Sequence, residues 1–275
     1  DIASADRADP MFPFLRCFDP WAGHSWASGH ARFGDGNNNE SSSEALNAWF
    51  GILLLGEALQ DQQLHDLGAW MLAVEAAAID DYWFDVRDEL CPPSWPASVV
   101  TMVWGGKGAN ATWFSDNPEE VHGINFLPVT SASFYLGRHP GYPQRNFNAL
   151  VQENAARDRN DGRRFDRWAD IMWMYQALSD PAEAAQAWHS RPADFQPETG
   201  NSQAATFAWI SLFQQLGTLD CSDSADTPWT VSFQNENEHT SLIWNLSDVP
   251  RTVRFQNTQT VECPPRTLNV FARPR

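Results

Sequence analysis

Residues 43–59 read SEALNAWFGILLLGEAL, a run that is apolar nearly all the way round a helical wheel. A helix with no wide polar stripe is stable only when neighbours cover it, so the run predicts a helix buried on several sides. Residues 62–79 follow with Leu64, Leu67, Trp70, Met71, Val74 and Ala78 at intervals of three and four, which predicts a second, one-sided helix. Only a short turn at Asp61 separates them, and helices joined so tightly pack antiparallel.

Working outward, the same signals recur. Helical patterns return over 119–136, 146–157, 165–178, 181–188 and 202–216, joined by short Pro, Gly and Asp turns. Between them, residues 80–116 break into a Trp-rich insertion with Pro92, Pro93, Pro96 and the Gly105–Gly106 pair, and residues 1–40 read as loops over a surface. After Asp220 the texture changes: CSDSADTP is a linker, and WTVSF, TSLIWNL, RTVRF, QTVEC and TLNVF are short alternating or β-branched runs. The expectation is a mainly α chain of antiparallel helical hairpins over residues 1–220, with a small β-appendage over 221–275.

The 275 residues suit one large domain or two unequal ones, and 43% hydrophobic against 19% charged residues excludes a disordered acidic polymer. A net charge of −17 repels nucleic acid and anionic membrane surfaces, so neither is expected as a partner. The longest apolar stretch, residues 48–56, is half what a bilayer demands, where about 18 residues are needed. A leader of basic then apolar residues is also missing from this sequence. Cys17, Cys91, Cys221 and Cys263 have no metal-type spacing, which leaves disulfides and free thiols both open.

Chemistry is densest in DPWAGHSW, residues 19–26, and DGNNNESSSE, residues 35–44. Glu40 and Glu44 stand four apart where the first helix begins, so both carboxylates project from one face if that turn is helical. Like charges raise one another's pKa and a helix N-terminus lowers it, which leaves a carboxylate poised to take a proton from water. A plainer reading is that Ser41 and Glu44 form an S-x-x-E capping box. That leaves Glu40 unexplained, along with Asn37, Asn38, Asn39, His24 and Trp26 around it.

Trp21, Trp26, Trp83, Trp95, Trp104 and Trp113 fall mostly outside the expected helices, and an indole face stacks on the C–H face of a pyranose. Trp49, Trp70, Trp173 and Trp209 lie within helices and read as core. His24, His30 and His122 lack metal-site spacing, and the glycines at 105, 106 and 108 lack the ending of a phosphate loop. No metal and no cofactor is expected. The sequons at Asn39, Asn110 and Asn245 read as coincidental, since a glycan on Asn39 would crowd the carboxylates.

GHSWASG (23–29) followed by DGNNNESSSEALNAWF (35–50) resembles the hallmark segment of glycoside hydrolase family 81, the endo-β-1,3-glucanases. WGGK (104–107), ATWF (111–114), PEEVHGINFLP (118–128) and FQQLG (213–217) are similar to later family segments and fall in the same order. The resemblance implies internal cleavage of a laminarin-type β-1,3-glucan with inversion, on an (α/α)6 toroid that follows an N-terminal β-sandwich. It implies Glu40 as the general base that activates water and Glu44 as its supporting carboxylate. Substrate contacts are expected from Asp19, His24, Trp26 and Asp35. Asn38, Trp104, Trp113 and His122 complete that set.

One departure stands out. The family's general acid is an Asp in a segment of the NDHHFHYG type, and this sequence contains none. The chain therefore resembles the C-terminal part of the enzyme, with an upstream part expected as its partner. Asp19 and Asp35 are candidate substitutes, but the resemblance gives both positions other surroundings, so neither is assigned that role. A non-catalytic β-glucan-binding module is the rival from another class, and a helical scaffold with a fortuitous cap is the third reading. A polymeric glucan is met outside the cell, so an extracellular location is expected.

Overall fold

The structure is a computed structural model that describes residues 4, 6–27, 34, 36–157 and 161–274. In chain order, β1 (Phe18–Asp19), β2 (His24–Ser25) and β3 (Asn38–Asn39) precede helices α1 (Ser42–Leu59) and α2 (Gln62–Tyr82). Strands β4 (Met102–Trp104) and β5 (Gly108–Ala109) lead to α3 (Pro118–Gly123), a 3-10 turn (Ser131–Gly137), α4 (Gly141–Ala155) and α5 (Ala169–Gln176). Helices α6 (Pro181–His189) and α7 (Gln203–Leu216) are followed by β6 (Thr218–Leu219), β7 (Thr230–Gln234), β8 (Glu238–Asn245), β9 (Arg251–Arg254), β10 (Thr260–Cys263) and β11 (Thr267–Pro274). Helix thus exceeds strand among the described residues, and the longer strands lie toward the C-terminal end.

It forms two compact units: one of Asp1–Tyr135, Arg145–Met172 and Pro197–Asn201, the other of Leu136–Gln144, Trp173–Gln196 and Ser202–Arg275. In the first, α1 and α2 form an antiparallel hairpin, closed by Gln60 in the left-handed conformation and capped by the Asp61 side chain, which accepts from Leu64 N–H. Two glycines set their spacing. A Cβ on Gly56 would lie 2.3 Å from the backbone N of His65, and one on Gly68 would lie 2.5 Å from that of Leu53. The backbones touch where no side chain fits, and Phe18, Trp49 and Met71 fill the core beside them.

Helix α1 departs from the expectation of burial on several sides. Leu46, Trp49, Leu53 and Gly56 form one buried stripe, while Leu54, Leu55 and Leu59 are 41%, 46% and 64% exposed. Apolarity all round does not create neighbours; α2 covers one stripe only. Trp70, read as core, is likewise 41% exposed, whereas Trp83, read as a loop residue, is fully buried just past α2.

The helix expected over 119–136 is divided. It stops at Gly123, and the 3-10 turn resumes at Ser131. Pro128 has no N–H to donate and disfavours helix at Leu127 before it. The carbonyls of Ile124, Leu127 and Pro128 accept from side chains of α1 and the residue before it instead.

In the second unit an antiparallel sheet runs in the order β11-β8-β7-β6, beside a β9–β10 ribbon. Ile243, Val253, Phe255 and Cys263 form its core, and Phe213 of α7 packs edge-on to Phe233 of β7 with centroids 5.5 Å apart. The alternating and β-branched runs of the sequence fall on β7 to β11. All four cysteines are free thiols, and among the described residues no helix is long and apolar enough to cross a membrane.

Candidate active site

The first unit gathers its chemistry where three small strands meet the start of α1. Strand β3 pairs with β4, Asn38 opposite Trp104 and Asn39 opposite Val103, and Glu40 emerges from the end of β3. The backbone N–H of Trp113 donates to Glu40 Oε1 at 2.9 Å. Half burial raises the Glu40 pKa and the nearby Glu44 raises it further, against the Trp113 N–H, which lowers it. The result is a base somewhat stronger than an ordinary glutamate. Glu44 sits in the first turn of α1 and is exposed.

The S-x-x-E capping box does not form. Ser41 makes no side-chain cap; its hydroxyl donates to the Ile124 carbonyl at 3.2 Å. The cap comes from Asn125, whose Oδ1 accepts from the Ser42 N–H at 3.1 Å and the Ser42 hydroxyl at 2.8 Å. Ser43 donates to the Leu127 carbonyl at 2.5 Å, and Asn47 Nδ2 donates to the Pro128 carbonyl at 3.1 Å. The break at 124–130 thus fastens the start of α1, and with it the backbone that carries Glu40 and Glu44.

A second group lies on β1 and β2. Asp19 accepts from Trp26 Nε1 at 3.2 Å and from the Trp21 N–H at 2.9 Å. Burial pushes the Asp19 carboxyl upward, but these bonds, the Ala22 N–H and His24 outweigh it, so its pKa lies below the usual value. The His24 ring packs 4.5 Å from that of Trp26, with Nδ1 2.9 Å from the Ser25 carbonyl. Burial holds its pKa down, so the ring favours the neutral form. The groups are joined: Ala27 N–H donates to the Asn38 carbonyl at 2.8 Å, and Asn39 Nδ2 donates to the Ser25 carbonyl at 2.9 Å.

Exposure sorts the expected contacts. Trp113 is 61% exposed and stands edge-on to Trp104, 6.0 Å away; Trp104 is buried and carries Lys107 over its face. Trp26, Asp19 and Glu40 are half-buried, while His24 and Asn38 are internal and shape the loops from behind. His122 stands apart from them: fully buried, its ring nitrogens face Asn146 at 2.9 Å and Glu153 at 3.2 Å, so it offers a sugar no surface. Asp35 and His30 lie outside the described residues. The Asn39 and Asn245 amides of two sequons are buried.

Sequence reasoning missed Glu75, which is fully buried on α2. Its Oε1 accepts from the Ser25 N–H at 3.0 Å and the Ser25 hydroxyl at 2.8 Å, and its Oε2 accepts from Trp49 Nε1. Burial raises its pKa to about 7, although all three hydrogen bonds favour the charged form. The signal was available: Glu75 stands four after Met71 and four before Ile79, on the buried stripe of α2. Glu119 was missed as well. It is buried and holds Asn154 Nδ2 at 3.1 Å and the Arg167 N–H at 3.1 Å.

Glu40, its pKa raised and one oxygen gripped by a backbone N–H, a second carboxylate one turn on at Glu44, and the exposed Trp113 indole stand together where α1 begins. The model of the glycosyl hydrolase family 81 C-terminal domain matches residues 1–210, and the chain belongs to that family. It is 43% identical over 98% of its length to a glucan endo-1,3-beta-D-glucosidase of Acetivibrio thermocellus, and 40% identical over 98% to one of Thermobifida fusca. A solved family 81 structure from Clostridium thermocellum, a mutant form, superimposes with a TM-score of 0.91 at 42% identity, covering 99% of this chain and 37% of that one. The chain spans about a third of the length of the two curated relatives, 34% of each.

Proposed function

We propose that this chain supplies the base side of an endo-acting β-1,3-glucanase that inverts anomeric configuration. Glu40 takes the proton of the attacking water, and Glu44 orients that water and keeps the Glu40 pKa high. The observation that carries this reading is the Trp113 N–H on Glu40: it fixes one carboxylate oxygen and leaves the other for water. Trp113, Trp26 and Asp19 meet the glucan, while His24, Asn38 and Trp104 support them. No role in substrate contact is kept for His122, and Asp35 stays an untried member of the set.

An inverting pair of carboxyls stands about 6.5–9.5 Å apart on either side of the scissile bond. The acid is assigned to an upstream part of the same protein, as the third of the relatives' length covered here allows. Residues 1–220 are taken as part of an (α/α)6 toroid and 221–275 as its β-appendage, acting on a polymer outside the cell.

The test is laminarin hydrolysis by the full-length protein, with the first product followed by proton NMR. Internal cleavage with an inverted product is expected. A retained configuration removes the inverting mechanism, and binding without turnover identifies a glucan-binding module instead.

A further inference from the structure

The loop that ends in Glu40 has little regular structure of its own, since β3 is two residues long. A base must nevertheless be held within about 0.5 Å of its working position. Something behind the loop has to supply that constraint.

A continuous path of hydrogen bonds leads there from Glu75. The Glu75 carboxylate, on α2, receives Trp49 Nε1 from α1 and both donors of Ser25 from β2. The Ser25 carbonyl in turn accepts from Asn39 Nδ2 at 2.9 Å, and Ser25 Oγ lies 3.3 Å from the same nitrogen. Asn39 is bonded covalently to Glu40. Every member is closed off from water: Glu75 is 0% exposed, Trp49 2%, Asn39 3% and Ser25 5%.

None of the three donors on Glu75 is charged, so the carboxylate is not there to neutralise a cation. An apolar side chain on the same stripe would pack α1 against α2 as well. It would leave the Ser25 N–H and hydroxyl and the Trp49 N–H buried without an acceptor, each a loss comparable to a hydrogen bond. Two oxygens diverging from one carbon serve donors arriving from two elements: Oε1 takes both donors of Ser25 and Oε2 takes Trp49 Nε1. Its high pKa is the cost of that placement.

We propose that Glu75 is a positioning residue for the Glu40 base, holding the β3 loop in register through Ser25 and Asn39. It touches no substrate and moves no proton in the reaction. This rests on Glu40 being the base, as proposed above.

The experiment compares full-length wild type with Glu75→Gln, Ser25→Ala, Asn39→Asp and Glu40→Gln, measuring kcat and KM on laminarin and thermal unfolding of each. Gln keeps the shape of Glu75 but turns an NH2 toward one of its donors, and Asp at position 39 removes the donor to Ser25. The expected result is a kcat reduced about 10- to 100-fold in Glu75→Gln and in Asn39→Asp, with KM within about threefold of wild type. Their double variant should lose no more than the worse single one, because both cut one path.

Normal kcat in folded Glu75→Gln, with only its unfolding temperature lowered, makes Glu75 a structural residue and overturns the proposal. Multiplicative losses in the double variant overturn it too. If Glu75→Gln does not fold, Asn39→Asp decides by the same split between kcat and KM, and Ser25→Ala, which keeps the backbone links to Glu75 and Asn39, should show the smaller loss. Near-normal turnover in Glu40→Gln instead brings down the assignment of the base itself, an outcome distinct from a failure at Glu75.

Discussion

Trp113 and Glu40, 73 positions apart in the chain, meet through a 2.9 Å bond from the Trp113 backbone N–H to the Glu40 carboxylate. Under the proposed function, one exposed residue offers a sugar its ring while its backbone orients the base. On that reading the pairing couples where a glucan rests to where water is activated.

That coupling makes Glu40→Gln in the full-length protein the most damaging change with the least effect on binding. Loss of a general base costs about 10²- to 10⁴-fold in kcat, while laminari-oligosaccharide affinity should stay near wild type. The pH profile supplies a second reading. The rate needs ionised Glu40, so a raised pKa moves the acid limb of the profile to higher pH. Because Glu44 contributes to that rise, Glu44→Gln should shift the limb back toward lower pH; an unmoved limb removes Glu44 from the role.

Glu75 makes stability depend on pH. Its pKa is about 7 in the folded protein against 4.5 as a reference, so the folded state holds a proton that the unfolded state releases. The contribution is full below pH 4.5 and is lost as pH rises through about 7. At 1.36 kcal/mol per pKa unit it amounts to about 3 kcal/mol. Urea midpoints measured across that window should fall with rising pH, and Glu75→Gln should flatten the slope.

Capping of α1 by Asn125 instead of Ser41 is open to a direct comparison. Asn125→Ala leaves the Ser42 N–H and hydroxyl without their acceptor and should cost about 1–2 kcal/mol. Ser41→Ala removes one hydroxyl bonded to the Ile124 carbonyl and should cost about 0.5 kcal/mol. Chemical denaturation of the two variants tests the order, which a formed capping box would reverse.

The tryptophans separate into binding and core. Trp113→Ala, at a 61% exposed site, should weaken laminari-oligosaccharide binding in a fluorescence titration and leave the unfolding midpoint in place. Trp49→Ala removes a buried ring and the Nε1 donor to Glu75, and should destabilise by about 3–5 kcal/mol. Equal fluorescence responses to laminari- and cello-oligosaccharides would leave the exposed indoles without specificity for the curved β-1,3 chain.

The sequence by itself determined what depends on near neighbours along the chain. Three-and-four spacing marked α2, alternation marked β7 to β11, and the pair Glu40 and Glu44 stood out beside its Asn and Trp neighbours before any coordinates. Tertiary structure decided what depends on distant partners. The cap on α1 lies 83 positions away in Asn125, the Glu40 anchor 73 positions away in Trp113, and the donors of Ser25 end on Glu75 50 positions away. Periodicity carries no record of such contacts, because a polar group far along the chain satisfies a donor as well as a near one. Burial behaves the same way: Leu55 and Leu53 have one composition, yet only the second faces α2, and it was the packed hairpin that told them apart.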